Sequence, residues 1–161
     1  MAAAARTCRT EGYRPPAAQQ RYFEAYRQLL LAQIPTLTEE ESHRLASRFV
    51  APLDVAAHTS GAAVDVTLVD QDGRQLDMGT AIDATPEESA GACYFAARGI
   101  SSAARHHRQL LARCLGPAGL VNYPTEWWHW SYGDRYWAFT TGAPAARYGP
   151  ASGIEADALV R

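Results

Sequence analysis

The stretch HTSGAAVDVTLV, His58 to Val69, decides how this chain is read. Val64, Val66 and Leu68 alternate with Asp65, Thr67 and Val69, which is the two-residue period of a strand with one face in the core. Asp65 therefore points away from Val64 and Val66. A carboxylate set in an apolar strand needs a partner or a metal, because burying an isolated charge is costly. His58 lies seven residues upstream of it. Farther along, EWWHW places Glu126 three residues before a second histidine, His129. Two His and one carboxylate are the ligand set of a catalytic zinc, which leaves one position open for water. A further Glu beside such ligands is the group that takes a proton from that water. The spacing therefore predicts a candidate metallohydrolase site.

On a regular strand an offset of three puts Glu126 and His129 on opposite faces. Both reach one ion only if the chain bends or bulges between them, and such an irregularity is expected at the two tryptophans. Each residue also has a plainer reading. His129 can stack between tryptophans without binding anything, and Glu126 can be a surface carboxylate paired with an arginine. Arg14 is a candidate electrophile, able to hold an oxyanion or a substrate carboxylate through two parallel hydrogen bonds. Its plainer reading is a structural ion pair. Trp127, Trp128, Trp130 and Trp137 read as core and pocket wall. His43, His106 and His107 read as solvated surface.

Composition narrows the field. A chain of 161 residues forms one domain with one sizeable core. The net charge of -2 gives no electrostatic case for nucleic acid or an anionic membrane. No apolar run approaches the ~20 residues that span a bilayer. The first residues lack the apolar stretch of a signal peptide, so a cytoplasmic location is expected. Cys8, Cys93 and Cys114 are isolated thiols with no metal-finger spacing.

Residues 1–10 are expected to be a flexible N-terminus, 11–141 the folded domain and 142–161 a mobile tail. A helix is predicted from Pro16, carrying Tyr22, Phe23, Tyr26, Leu29, Leu30 and Ile34 at helical spacing and ended by Pro35. Thr38 and Glu41 form a capping box that opens a short helix to about Phe49. Gln75–Met78 is expected to return as a hairpin partner of the Val64 strand. Thr85-Pro86-Glu87-Glu88 opens a helical turn. Another helix runs from Ser101 or Ser102 to Leu115, with Leu110, Leu111 and Leu115 inward and Arg105, Arg108 and Arg113 polar. Leu120–Tyr123 starts a strand, and EWWHW and Tyr136–Thr140 read as two strands joined at Gly133-Asp134. The order of elements predicts an α+β fold: a small, mostly antiparallel sheet with helices packed on one side and the site on the sheet.

Four motifs in order carry a family resemblance: GYRP (Gly12–Pro15), HTSGAAVDVTL (His58–Leu68), LDMGTAID (Leu76–Asp83) and NYPTEWWHWSYGDRYWA (Asn122–Ala138). From about Glu11 to Thr140 the chain resembles the D-alanyl-D-alanine dipeptidases, zinc enzymes of the vancomycin-resistance type. Their wider group shares a fold with the hedgehog signalling domain. The resemblance implies one zinc per chain held by His58, Asp65 and His129, with Glu126 as the base. It further implies that Arg14 stabilises the transition state and that Asp83 holds the free ammonium of a small dipeptide. Two departures stand out. Ala56 occupies the place where the family pattern SxHxxGxAxD has serine, which bears on substrate identity. GYRP also begins almost at the start of the chain, where the family has a preceding segment that helps wall the pocket, so exposed apolar surface is expected. Two alternatives accompany this reading. One is a zinc-binding module that has lost catalysis; the other is a D,D-carboxypeptidase acting on cell-wall peptides.

Overall fold

The computed structural model describes residues 5–151. Its centre is a four-stranded antiparallel sheet in the order β1-β2-β4-β3. The strands are β1 (Arg6–Glu11), β2 (Ala63–Val69), β3 (Val121–Asn122) and β4 (His129–Ser131). The helices are α1 (Pro16–Gln33), α2 (Glu39–Ala46), α3 (Ser102–Leu115) and α4 (Arg135–Thr141). The α+β architecture and antiparallel sheet agree with the sequence reading. No helix among the described residues is long and apolar enough to cross a membrane.

Local chemistry explains most of the elements. Pro16 starts α1, where its missing N–H costs nothing. Gln19, Phe23, Tyr26 and Leu30 form the helix's single buried stripe. Thr38 and Glu41 close the capping box at the head of α2 as expected. The Ser101 hydroxyl accepts from the Ala104 N–H and caps α3. In β2, Val66 and Leu68 pack with Leu111 of α3 and with Trp127, Trp128 and Trp130 in the main core. A second cluster joins α1 and α2 through Phe23, Tyr26, Leu30 and Ala46. Phe49 packs against both clusters, its ring 6.4 Å from that of Trp128.

Several expectations need correction. Residues 6–10, expected in a flexible end, belong to β1, which pairs with β2 from Arg6–Val69 to Glu11–Asp65. An edge strand has one hydrogen-bonded side and needs no apolar alternation. The region expected as a tail is partly fixed as well. Arg147 and Tyr148 N–H donate to the Gly133 carbonyl, and Ala151 N–H donates to that of Thr59. Residues 1–4 and 152–161 lie outside the described residues.

Residues 136–140 form helix, not strand. Asp134 Oδ1 accepts from both the Trp137 N–H and the Ser131 hydroxyl, which caps α4 and overrides the aromatic strand propensity. The expected hairpin partner of β2 is reduced to a bridge at Gln75 and one hydrogen bond from Leu76. Arg108, expected to be polar and outward, is 1% exposed. His107 is only half-exposed and is hydrogen-bonded to the Asp77 carbonyl.

Candidate metal centre

Strand register builds the site. Asp65 of β2 sits opposite His129 of β4 on one side and Glu11 of β1 on the other. Directly opposed residues in adjacent strands project to the same face, so Glu11, Asp65 and His129 form a row across three strands. The register shift between Arg9 and Glu11 sets the last member of that row. His58 arrives from a short 3-10 turn, Ala57–Ser60, just before β2. Gly61 ends that turn in the left-handed region at φ 69°, which glycine adopts without steric cost.

Two hydrogen bonds join the GYRP and HTSG segments. The Arg14 N–H donates to the His58 carbonyl at 3.0 Å, and His58 Nδ1 donates to the Gly12 carbonyl at 2.7 Å. The second bond fixes the tautomer of a neutral His58 ring and leaves the Nε2 lone pair free. That nitrogen lies 3.1 Å from His129 Nδ1 and 3.3 Å from Asp65 Oδ2. His129 Nδ1 is 3.1 Å from Asp65 Oδ1. All three donor groups fall within 4.8 Å of one another. A buried His/Asp/His set brought this close could hold a divalent metal. Burial raises the Asp65 carboxyl, but the adjacent His129 and His58 rings outweigh it and hold the group well below the ordinary range. Burial likewise lowers His58, and Asp65 more than compensates, leaving it raised.

Glu126 stands beside this group, Oε2 being 3.9 Å from His129 Nδ1. The irregularity expected between the two residues is a turn. The Glu126 N–H donates to the Tyr123 carbonyl, and the Trp127 N–H donates to that of Cys93. Asn122 Nδ2 donates to the Glu126 and His129 carbonyls, at 2.9 Å each, and staples the turn. Trp127 and Trp128 bury their rings on the core side, at 0% and 1% exposure. Glu126 itself is buried, and its carboxyl is pushed well above the ordinary range by desolvation, then by the charges of Asp65 and Asp83. A divalent cation among the neighbouring donors would counter that shift.

His58, Asp65, Glu126 and His129 line a cavity of about 670 Å³. Arg14, Gln19, Asp83 and Ala56 line it too, with Phe49 and Phe139 among its apolar walls. Asp83 adopts φ 61°, unusual for a residue with a Cβ. Although the residue is exposed, its carboxyl is raised by desolvation, then by Asp65 and Glu11. The structure thus gathers His58, Asp65, His129, Glu126, Arg14 and Asp83 around one space. Tyr22, Val55 and Phe139 are exposed on its lining, at 53%, 42% and 86%.

Over residues 8–142 the sequence matches peptidase family M15, D-ala-D-ala dipeptidase. The chain belongs to this family. It is 37% identical over 95 residues to a D-alanyl-D-alanine dipeptidase of Synechocystis sp., covering 55% of this chain and 38% of that protein. It is 36% identical over 72 residues to a D-alanyl-D-alanine dipeptidase of Escherichia coli, covering 45% of this chain and 35% of that one. The matches thus span well under half the length of these curated relatives. Among solved structures, a mutant of the vancomycin-resistance D,D-pentapeptidase VanY in complex with Zn(II) is similar at 20% identity and a TM-score of 0.48. That match covers 78% of this chain and 60% of the other.

Four residues of this region escaped the sequence reading: Glu11, Gln19, Asn122 and Tyr123. Gln19 had a usable signal, being a polar residue on the buried stripe of α1. The Tyr123 ring meets that of His129 at 6.0 Å, but only the turn brings them together.

Proposed function

We propose that this chain is a zinc-dependent dipeptidase that hydrolyses D-Ala-D-Ala or a related small D,D-dipeptide. The observation that carries the reading is the convergence of His58, Asp65 and His129 beside the buried carboxyl of Glu126. Family membership supports the same chemistry.

His58 Nε2, the Asp65 carboxylate and His129 Nδ1 would hold the ion. When bound, zinc supplies Lewis-acid polarisation of a carbonyl and makes water a nucleophile near neutral pH. Glu126 accepts the proton of the attacking water and returns it to the leaving amine. Its desolvated setting keeps it basic enough to do so. Arg14 donates N–H groups to the oxyanion that develops on the scissile carbonyl. Asp83 pairs with the free ammonium of the substrate, which selects a dipeptide over a longer chain. His58 is held in the required tautomer by the Gly12 carbonyl. A cytoplasmic setting belongs to this reading, and the unpaired thiols Cys8, Cys93 and Cys114 fit a reducing compartment.

Purified protein supplied with zinc should release free D-Ala from D-Ala-D-Ala and bind one zinc per chain. Glu126→Ala should keep the metal and lose turnover by roughly 10²–10⁴-fold. Normal turnover in that variant would remove Glu126 from the mechanism. An N-blocked dipeptide should be a poor substrate; if it is cleaved equally well, Asp83 does not read the ammonium and the carboxypeptidase alternative gains. Zinc without any turnover on a panel of dipeptides would favour a degenerate module.

A further inference from the structure

A guanidinium carries five N–H donors in one plane. In Arg14 three of them are committed. Nε donates to Glu11 Oε1 at 2.7 Å, Nη2 donates to Glu11 Oε2, and Nη1 donates to Gln19 Oε1 at 2.9 Å. The guanidinium also lies over the Tyr22 ring, 4.9 Å from its centroid. Gln19 is 2% exposed, and its Nε2 donates to the Ala51 carbonyl at 2.7 Å. That bond fixes the amide orientation. Turned over, the amide would set its NH₂ against the guanidinium and its oxygen against a carbonyl.

Both partners are placed by the fold. Glu11 is held in the three-strand row by its pairing with Asp65. Gln19 lies in the first turn of α1, its N–H bonded to the Pro15 carbonyl. A buried glutamine on an otherwise apolar helix stripe costs stability unless its polar atoms are used. A partly exposed ion pair such as Arg14–Glu11 adds little stability by itself. Folding energetics alone therefore give weak reason for this arrangement.

We propose that Glu11 and Gln19 are positioning residues for Arg14, a role that rests on the dipeptidase reading. Together they fix the guanidinium plane and leave two N–H groups, one on each terminal nitrogen, for a ligand in the cavity. Glu11 occupies the Nε/Nη2 edge with its own carboxylate. A substrate carboxylate is thereby kept off that edge, and the remaining donors serve the oxyanion. Arg14 then acts on the transition state more than on substrate binding.

The test combines kinetics with spectroscopy on the zinc-loaded full chain. Gln19→Met and Glu11→Gln are each made in the native and in the Arg14→Ala background. With D-Ala-D-Ala, each single change should lower kcat by about tenfold with KM within about twofold, since misplacing a catalytic group costs rate first. Zinc content should stay at one per chain. In the Arg14→Ala background neither change should lower the residual rate further, because the partners act through Arg14. Equal losses in both backgrounds, or a KM effect with kcat intact, would overturn the proposal. The Arg14 Nε–H resonance, followed by nitrogen-15 NMR, gives a readout that does not need turnover. It should be resolved in the native protein and shifted or broadened in both variants; an unchanged resonance in Gln19→Met also defeats the idea. Absence of hydrolysis by the native protein would instead sink the functional reading and leave the resonance to decide this one.

Discussion

Arg14 and Arg108 are both withdrawn from water, and the fold treats their charges in opposite ways. Arg14 borders the cavity, with Glu11 on one edge of its guanidinium and Gln19 on another. Burial lowers its basicity, but Glu11 more than offsets this and the group ends raised. Arg108 is 1% exposed and meets no carboxylate among the described residues. It donates to the carbonyls of Met78, Ala92, Tyr94 and Phe95 and lies over Trp127 at 5.6 Å. Desolvation pulls it down to about 10. Arg108 thus gathers two stretches flanking Asp83 by hydrogen bonds to backbone, whereas Arg14 keeps donors in reserve. A buried arginine fixed wholly by carbonyls is scaffold; one anchored to a carboxylate at a cavity wall is equipped to act on a ligand.

That contrast can be broken by experiment. Arg14→Ala should cost roughly 10²–10³-fold in kcat, the scale of losing an oxyanion donor, with little change in melting temperature. Arg108→Leu should do the reverse. It strands several buried carbonyls, so stability should fall by about 3 kcal/mol in denaturant titration, while the fraction still folded keeps most of its kcat. If Arg108→Leu instead lost turnover without lost stability, the division between scaffold and site would fail. Asp134→Ala removes the cap of α4 and should cost about 1 kcal/mol, read as a shift in the urea midpoint. Arg74→Ala breaks an exposed pair with Asp72 and should stay within about 0.5 kcal/mol of the native protein. A larger loss there would show that surface charge matters more in this chain than either buried arginine suggests.

Much of the framework was legible because local signals and tertiary packing agree. The Val64–Leu68 alternation, the Thr38–Glu41 box, and Pro16 and Ser101 as helix starts each carry their own chemistry. The convergence of His58, Asp65 and His129 was legible because Asp65 is anomalous inside an apolar strand. β1 was not: RTCRTE has no apolar alternation, and its partner lies more than fifty positions away. Arg108 looked like one more polar position on an arginine-rich helix, and only the path of residues 78–95 buries it. In α4, Tyr136, Trp137 and Phe139 satisfy either period, and the cap that decides for helix depends on Ser131 and Asp134 meeting in space. Glu126 required an irregular chain; Asn122, which makes the turn, advertised nothing in sequence.

The Gly12 carbonyl, the His58–Asp65 stretch and His129 come from three parts of the chain far from one another: 46 positions separate Gly12 from His58, and 71 separate the histidines. No early fragment contains all three donor residues. During synthesis the centre cannot be completed before β4 has left the ribosome and paired with β2. On the proposed reading, metal capture by the full set would be confined to chains whose sheet has closed, and the ion would serve as a late internal check on folding.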